Sequence, residues 1–293
     1  MTKTVYIDTP DNFSFRHTIY SHGWCELAPF EIDEENWRLS YVFRCRETGN
    51  AASATISDAG GRLKITLNGE KIDKAGLARD VKHLLRLDDD MSPFYKTIRK
   101  EKRLSWVERS NAGRLMRSPT VWEDLVKTIC TTNCSWSLTK KMVANLVEAL
   151  GEPAADGKRA FPTAERMAEQ PLNFYTDEMR AGYRAPYFLE LAEKTASGRV
   201  DPEQWLTSDL PTSELKKEMK RAKGVGDYAA EHMLRLVGRY DGLALDSWVR
   251  SQFYKKHNGE AACDDDEIEK FYEKFGEWKG LVCWCDMTEK WFK

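Results

Sequence analysis

The segment from 214 to 250 carries residues suited to two kinds of chemistry, phosphate binding and stabilisation of positive charge. A basic stretch, 216–223, leads into Gly224-Val225-Gly226, and Asp246 follows Gly226 by 20 positions. Glycines with positive φ allow a tight turn and a close approach of the backbone to a ligand. A helix that begins after such a turn offers free N–H groups to a phosphate. A fixed carboxylate can stabilise an oxocarbenium-like transition state and orient a water molecule.

Each feature alone has a simpler explanation. Gly-x-Gly between helices is a common tight connection, and an aspartate before Ser-Trp-Val is ordinarily a helix N-cap. The hairpin and the aspartate at this spacing are together more specific than either one.

The composition indicates a soluble globular protein with a local basic surface. The net charge is −2, with 41% hydrophobic and 31% charged residues, and the basic residues concentrate in 96–117 and 216–223. Seven scattered cysteines argue against a disulfide framework. With no long apolar run and no signal-like N-terminus, we expect an intracellular protein, in the cytoplasm or nucleoid, or in the nucleus of a eukaryote.

The hydrophobic pattern predicts an α+β fold. Apolar residues alternate with polar ones between 13 and about 70, including Phe13 to Ile19, which predicts an antiparallel sheet with one solvated face. Helical spacing follows from Lys74 onward. We therefore expect an N-terminal antiparallel β-sheet domain over 1–90 and a larger all-α domain over 91–293, with the hairpin at about 214–238.

The hairpin and its aspartate resemble the helix-hairpin-helix DNA glycosylase superfamily. Ile129 to Asn133, Ala181 to Ala185 and Phe275 to Gly280 resemble elements of its 8-oxoguanine branch. The β-rich start resembles the TBP-like domain shared by that branch and the alkyladenine glycosylases. The resemblance spans essentially the whole chain and lies between the 8-oxoguanine and 3-methyladenine glycosylase II branches.

This resemblance implies a monomeric enzyme that flips a damaged base out of double-stranded DNA, with no membrane partner. Asp246 would be the catalytic carboxylate. Tyr183 would be the wedge beside the gap, and Asn133 and Arg184 would contact the orphaned base. The residues implied to contact the DNA phosphates are Lys223, Gly224, Val225, Gly226 and Tyr228.

Tyr228 bears on the type of reaction. Superfamily members that also cut the DNA backbone carry a lysine two residues after the second hairpin glycine, and that lysine forms a Schiff base with the sugar. Tyr228 stands at this position, so we expect base removal without lyase activity.

The resemblance also bears on cofactors. With only Cys263, Cys283 and Cys285 near the C-terminus, no iron–sulfur cluster is expected. A sodium or potassium ion is expected at the hairpin, on the main-chain carbonyls of Lys220, Ala222 and Val225.

The damaged base is predicted from the pocket residues. Cys283 and Met287 align with a glutamine and a phenylalanine of the 8-oxoguanine enzymes, and Leu138 replaces an arginine. An N-alkylated purine, such as 3-methyladenine or 7-methylguanine, is favoured instead, because a cationic base binds aromatic faces. The expected pocket residues are Tyr228, His232, Trp136, Trp248, Cys283 and Met287.

Three alternatives remain at this point. The chain could be a glycosylase for an oxidised or deaminated base, such as 8-oxoguanine. It could be a non-catalytic DNA-binding module that has kept the hairpin. The third is an all-α protein whose hairpin makes protein contacts.

Overall fold

The computed structural model describes residues 2–45, 48–68 and 73–292, and a five-stranded antiparallel sheet precedes most of the helices. The predicted sheet is confirmed, with strand order β1-β5-β4-β3-β2. The strands are β1 Thr2–Asp8, β2 Glu31–Asp33, β3 Arg38–Arg44, β4 Ala51–Asp58 and β5 Arg62–Asn68.

One face of the sheet is apolar and packs on the core. Leu63, Ile65 and Leu67 are buried, while Lys64 between them is exposed, as the alternation in sequence predicts. The opposite face is only partly solvated, because Val42 packs there against buried residues of the 154–160 segment.

Phe13 to Ile19 do not form a strand, so that part of the sequence prediction is wrong. Phe15–Ile19 is a short helix, α1, whose N-cap Ser14 accepts a hydrogen bond from the backbone N–H of His17. Phe15, Thr18 and Ile19 are its buried residues. They are spaced as on one helical face, and a segment this short fits either period.

The rest of the chain is helical, as expected, which confirms the α+β class. The other α-helices are α2 Lys74–Leu85, α3 Ser92–Ile98, α4 Ser105–Arg109, α5 Val121–Thr131, α6 Trp136–Leu150, α7 Ala164–Ala168, α8 Ala185–Ala196, α9 Thr212–Met219, α10 Asp227–Leu236, α11 Ser247–His257, α12 Asp265–Glu273 and α13 Lys279–Thr288. Within the described residues, no helix is long and apolar enough to cross a membrane.

Two hydrophobic cores underlie this arrangement. The first joins the inner face of the sheet to α2 and to α5 through α10. The second joins residues 91–115 to α11, α12 and α13. The sheet therefore shares a core with the middle helices, and the boundary between 90 and 91 stays a prediction. The outer limits of the two predicted domains, residues 1 and 293, lie outside the described part of the chain.

Candidate active site

The predicted hairpin joins α9 to α10, and its two glycines do different things. Gly224 has φ +91°, and a Cβ there would lie 3.0 Å from Cδ2 of Tyr187, so both the backbone and the space require glycine. Gly226 has φ −86°, an extended conformation. The expectation of positive φ is therefore wrong for Gly226. A Cβ at Gly226 would meet no atom within 4 Å, so its surface is open to a ligand.

The N-terminus of α10 faces outward at the hairpin. Its N-cap residue, Gly226, provides no side-chain hydrogen bond to the first N–H groups of the helix. Such groups and the helix dipole favour an anion at this point.

The hairpin lysines are exposed and paired with carboxylates. Lys220 lies 2.9 Å from Asp227, and Lys223 lies 3.1 Å from Glu190. Lys223 can still turn toward a phosphate, because half of its side chain is exposed and a surface ion pair is weak.

Asp246 is the N-cap of α11. Its Oδ1 accepts a hydrogen bond from the backbone N–H of Val249 at 2.7 Å, which fixes the orientation of the carboxylate. The side chain is half-buried, beside Tyr228. Burial, followed by the charge of Asp246, raises the pKa of the Tyr228 hydroxyl. The capping role and a catalytic role are therefore compatible in this residue.

A cleft of about 1620 Å³ connects the hairpin to Asp246. Segments that lie far apart in sequence line it, including 20–26, 131–136, 220–229 and 244–248. Its walls are rich in aromatic rings, including Trp24, Trp136, Tyr183, Tyr228, Trp248 and Trp284.

Arg235 of α10 also lines this cleft, where it is 2% exposed. Its Nη2 donates to the carbonyl of Leu243 at 2.8 Å, and its guanidinium lies 4.9 Å from the ring centroid of Trp284. Burial lowers the pKa of Arg235.

Two histidines complete the buried end of the cleft. The rings of His22 and His232 are 5.9 Å apart, and each lies within about 5 Å of the ring of Trp24. Burial lowers the pKa of His22 to about 4 and that of His232 well below its usual value. Both rings are therefore neutral near pH 7.

Comparison with known proteins identifies the fold. No protein-family profile matches the sequence. The 3-methyladenine DNA glycosylase from Archaeoglobus fulgidus is 16% identical, with a TM-score of 0.77 over 99% of both chains. The apo 8-oxoguanine glycosylase/lyase of Clostridium acetobutylicum is 19% identical, with a TM-score of 0.75 over 98% of this chain and 97% of the other.

The chain has the helix-hairpin-helix DNA glycosylase fold. The expected resemblance is thereby confirmed, and both predicted branches are represented among its structural neighbours. A yeast (Saccharomyces cerevisiae) protein named N-glycosylase/DNA lyase is 21% identical over an alignment of 193 residues that covers 62% of this chain. The match spans about half of the yeast protein, 51% of its length.

Within this glycosylase fold, the predicted wedge residues come together. Asn133, with φ +47°, donates from Nδ2 to the hydroxyl of Tyr183 at 3.2 Å. Tyr183 is 54% exposed, as a wedge requires. The Arg184 guanidinium lies 4.4 Å from the Tyr183 ring centroid and donates to Thr132. Arg184 is buried, so here it supports Tyr183 from beneath, and its contact with the orphaned base stays a prediction.

Four of the six predicted pocket residues line the cleft, namely Tyr228, His232, Trp136 and Trp248. Cys283 and Met287 do not, because their side chains are buried in the second core. Successive residues of a helix point in different directions, and on α13 it is Trp284 that faces the cleft.

Sequence reasoning missed His22, Trp24, Arg235 and Trp284. A signal for Arg235 existed, because Tyr228, His232 and Arg235 are spaced i, i+4 and i+7 on one helix face. No comparable signal marked His22 or Trp24, which lie between β1 and β2, far from α10 in sequence.

The expected ligand sites remain predictions. The described residues contain no group of three or more histidine, cysteine or acidic side chains arranged to hold a metal ion. For the hairpin cation, the carbonyl of Ala222 accepts from the N–H of Val225 at 3.1 Å and keeps a second lone pair. The sodium or potassium ion on the carbonyls of Lys220, Ala222 and Val225 therefore stays a prediction.

Proposed function

We propose that the chain is a DNA N-glycosylase that hydrolyses the bond between a damaged base and its sugar, without lyase activity. One observation carries the proposal: a single cleft is lined by both the hairpin glycines and the fixed carboxylate of Asp246.

The hairpin would bind the DNA backbone. A phosphate at Gly226 would meet the N-terminal N–H groups of α10 without steric hindrance. The sodium or potassium ion expected on the carbonyls of Lys220, Ala222 and Val225 would add positive charge there. Asn133 and Tyr183 lie at the rim of the same cleft, where an aromatic side chain can fill the gap left by a flipped nucleotide.

Asp246 would perform the chemistry. Loss of the base builds positive charge on the sugar, and a carboxylate held in place before the reaction stabilises that charge without rearrangement. The same carboxylate can orient the attacking water. The cap hydrogen bond on Oδ1 holds the carboxylate in one orientation at the cleft.

Tyr228 supports a reaction that stops at base removal. A phenol cannot form a Schiff base. The lysines that line the cleft, Lys220 and Lys223, belong to ion pairs with Asp227 and Glu190. The lyase activity in the name of the yeast relative is that protein's own.

Two lesion classes fit the cleft. The aromatic walls, including Tyr228, Trp136 and Trp248, favour a cationic N-alkylated purine. Arg235 favours the second class, an oxidised or deaminated base that is neutral, because a buried guanidinium repels a cation.

The test is a panel of double-stranded DNA duplexes that carry 3-methyladenine, 7-methylguanine, 8-oxoguanine, hypoxanthine or uracil. The wild-type protein should release at least one of these bases, and strands should break only after treatment with hot alkali. Release of none would refute the glycosylase, while strand cleavage without alkali would refute the monofunctional reaction.

A further inference from the structure

The buried end of the cleft contains a guanidinium that forms no salt bridge within the described residues. Arg235 is 2% exposed, and its Nε has no hydrogen-bond partner among the described residues. Asp246 and Glu231 contribute negative charge to its surroundings, but neither carboxylate forms a hydrogen bond with it. Asp246 accepts from the N–H of Val249 at 2.7 Å, and Glu231 pairs with Lys216 at 2.6 Å and accepts from the N–H of Ala244 at 2.7 Å. A buried donor without a partner is costly, so the site favours a ligand that supplies an acceptor.

His22 provides a hydrogen-bond acceptor beside the Arg235 guanidinium, which only donates. Its Nε2 is bonded to the carbonyl oxygen of Met116. Because a carbonyl only accepts, Nε2 carries the proton, and Nδ1 of the neutral ring is an acceptor. Nδ1 has no hydrogen-bond partner among the described residues either. The ring is held in place, because Ser21 Oγ accepts from the N–H of the same Met116 at 2.8 Å.

We propose that His22 and Arg235 determine specificity by reading an N–H group and an adjacent carbonyl on the edge of a neutral base. His22 Nδ1 would accept from the N–H, and the guanidinium would donate to the carbonyl oxygen. The chemical class is a neutral oxidised or deaminated base, in which a ring N–H stands beside a C=O. 7-Methylguanine has such an edge at N1 and C6, so its charge and not its edge separates it from this class. This inference rests on the proposed entry of a flipped base into the cleft.

The same pair disfavours an alkylated purine. 7-Methylguanine and 3-methyladenine carry positive charge in DNA, and the guanidinium repels that charge in a site with little water. The aromatic walls stack on bases of both classes and attract a cationic base more strongly. The pair therefore opposes the preference that the walls alone would give.

The test compares two variants with the wild-type protein. Arg235→Gln removes the charge and keeps an amide that can donate to Leu243, and His22→Phe removes the acceptor. Arg114→Lys is the matched control. Arg114 is equally buried, but it donates hydrogen bonds to the backbone carbonyls of Arg86 and Asn12, away from the cleft. For each protein, single-turnover release is measured from duplexes with 8-oxoguanine, hypoxanthine or 7-methylguanine.

Arg235→Gln should slow release of at least one of the two neutral bases about tenfold or more and leave or speed release of 7-methylguanine. His22→Phe should act in the same direction, and Arg114→Lys should not change the ratio. An equal fall for all lesions in both variants would overturn the proposal, as would a wild-type preference for 7-methylguanine that survives both substitutions.

A binding experiment separates this inference from the glycosylase proposal. The Asp246→Asn protein is titrated with the same duplexes, with and without Arg235→Gln. If a neutral lesion is bound more tightly and this preference depends on Arg235, the specificity role of His22 and Arg235 is supported, even if the wild-type protein releases no base. Equal affinity for all duplexes, together with base release by the wild-type protein, would refute the specificity role of His22 and Arg235. The glycosylase proposal would then still hold.

Discussion

The indole Nε1 of Trp284 donates a hydrogen bond to the carbonyl oxygen of Ser21 at 2.7 Å, across 263 positions of sequence. It connects the segment between β1 and β2 to α13. Through it, His22 lies at the end of the cleft that Arg235 and Trp284 form. The site is therefore assembled from both ends of the described chain.

Replacement of Asp246 by asparagine separates catalysis from stability. Asparagine caps a helix about as well as aspartate, so the free energy of unfolding should change by less than about 0.5 kcal/mol. Base release should fall roughly 10²- to 10³-fold, because the amide cannot stabilise positive charge as a carboxylate does. Single-turnover release and denaturant unfolding measure the two effects.

Asp246→Ala is the companion variant. It should also lose activity, and it should be destabilised by about 1 kcal/mol, because the cap on the N–H of Val249 is removed. Wild-type activity in Asp246→Asn would contradict the assigned role.

Replacement of Tyr228 by lysine should introduce covalent chemistry. The side chain lies beside Asp246 in the cleft, and partial burial favours the neutral amine needed for a Schiff base. Borohydride should then trap the Tyr228→Lys protein on a lesion duplex. Tyr228→Phe should give no adduct and should keep base release within about tenfold of wild type, the low end of the effect of a lost polar catalytic group. An adduct with the wild-type protein would show that another lysine reaches the sugar.

The two hairpin glycines should respond differently to alanine. Gly224→Ala should destabilise the protein by about 1–2 kcal/mol, because a left-handed φ is strained with a Cβ and Tyr187 must shift. Gly226→Ala should leave stability within about 0.5 kcal/mol, because the backbone is extended there and the space is open. Denaturant unfolding compares the two variants.

DNA affinity provides the second readout for the hairpin. If a phosphate contacts the backbone at Gly226, the added methyl group should weaken binding to an abasic-site duplex, measured by fluorescence anisotropy. Unchanged affinity in Gly226→Ala would mean that the phosphate lies elsewhere.

Stability should depend on the ionisation of His22. Its pKa is about 4 in the folded protein, because of burial, against about 6.5 when unfolded. Between pH 6.5 and pH 4, His22 is protonated in the unfolded chain and neutral in the folded protein. Stability is therefore lost as the pH falls toward 4. From pH 7 to pH 5 this loss is about 2 kcal/mol.

His22→Gln is the variant that isolates this effect. Its amide can still donate to Met116 and does not titrate, so its unfolding free energy should depend less on pH over this range. Asp124, whose pKa is raised by burial to about 7, acts in the opposite direction in both proteins and cancels in the difference. Parallel pH profiles for the two proteins would contradict the assignment.

The sequence alone determined the local features of this protein. The alternation in β3 and β5, the helical spacing after Lys74, the hairpin glycines and the capping aspartate all act over a few residues, so their patterns could be interpreted without the fold. The strand predicted at Phe13 to Ile19 is wrong. The five residues Phe15–Ile19 fit both the strand and the helix period, and Ser14 caps them as a helix.

Only the tertiary structure decided which side chains meet in the cleft. His22 and Arg235 are more than two hundred positions apart, and no periodic pattern links them. Whether Trp284 or its neighbour Cys283 faces the cleft depends on the rotation of α13 against the second core. That rotation is set by the packing of several helices at once, which is a property of the whole fold.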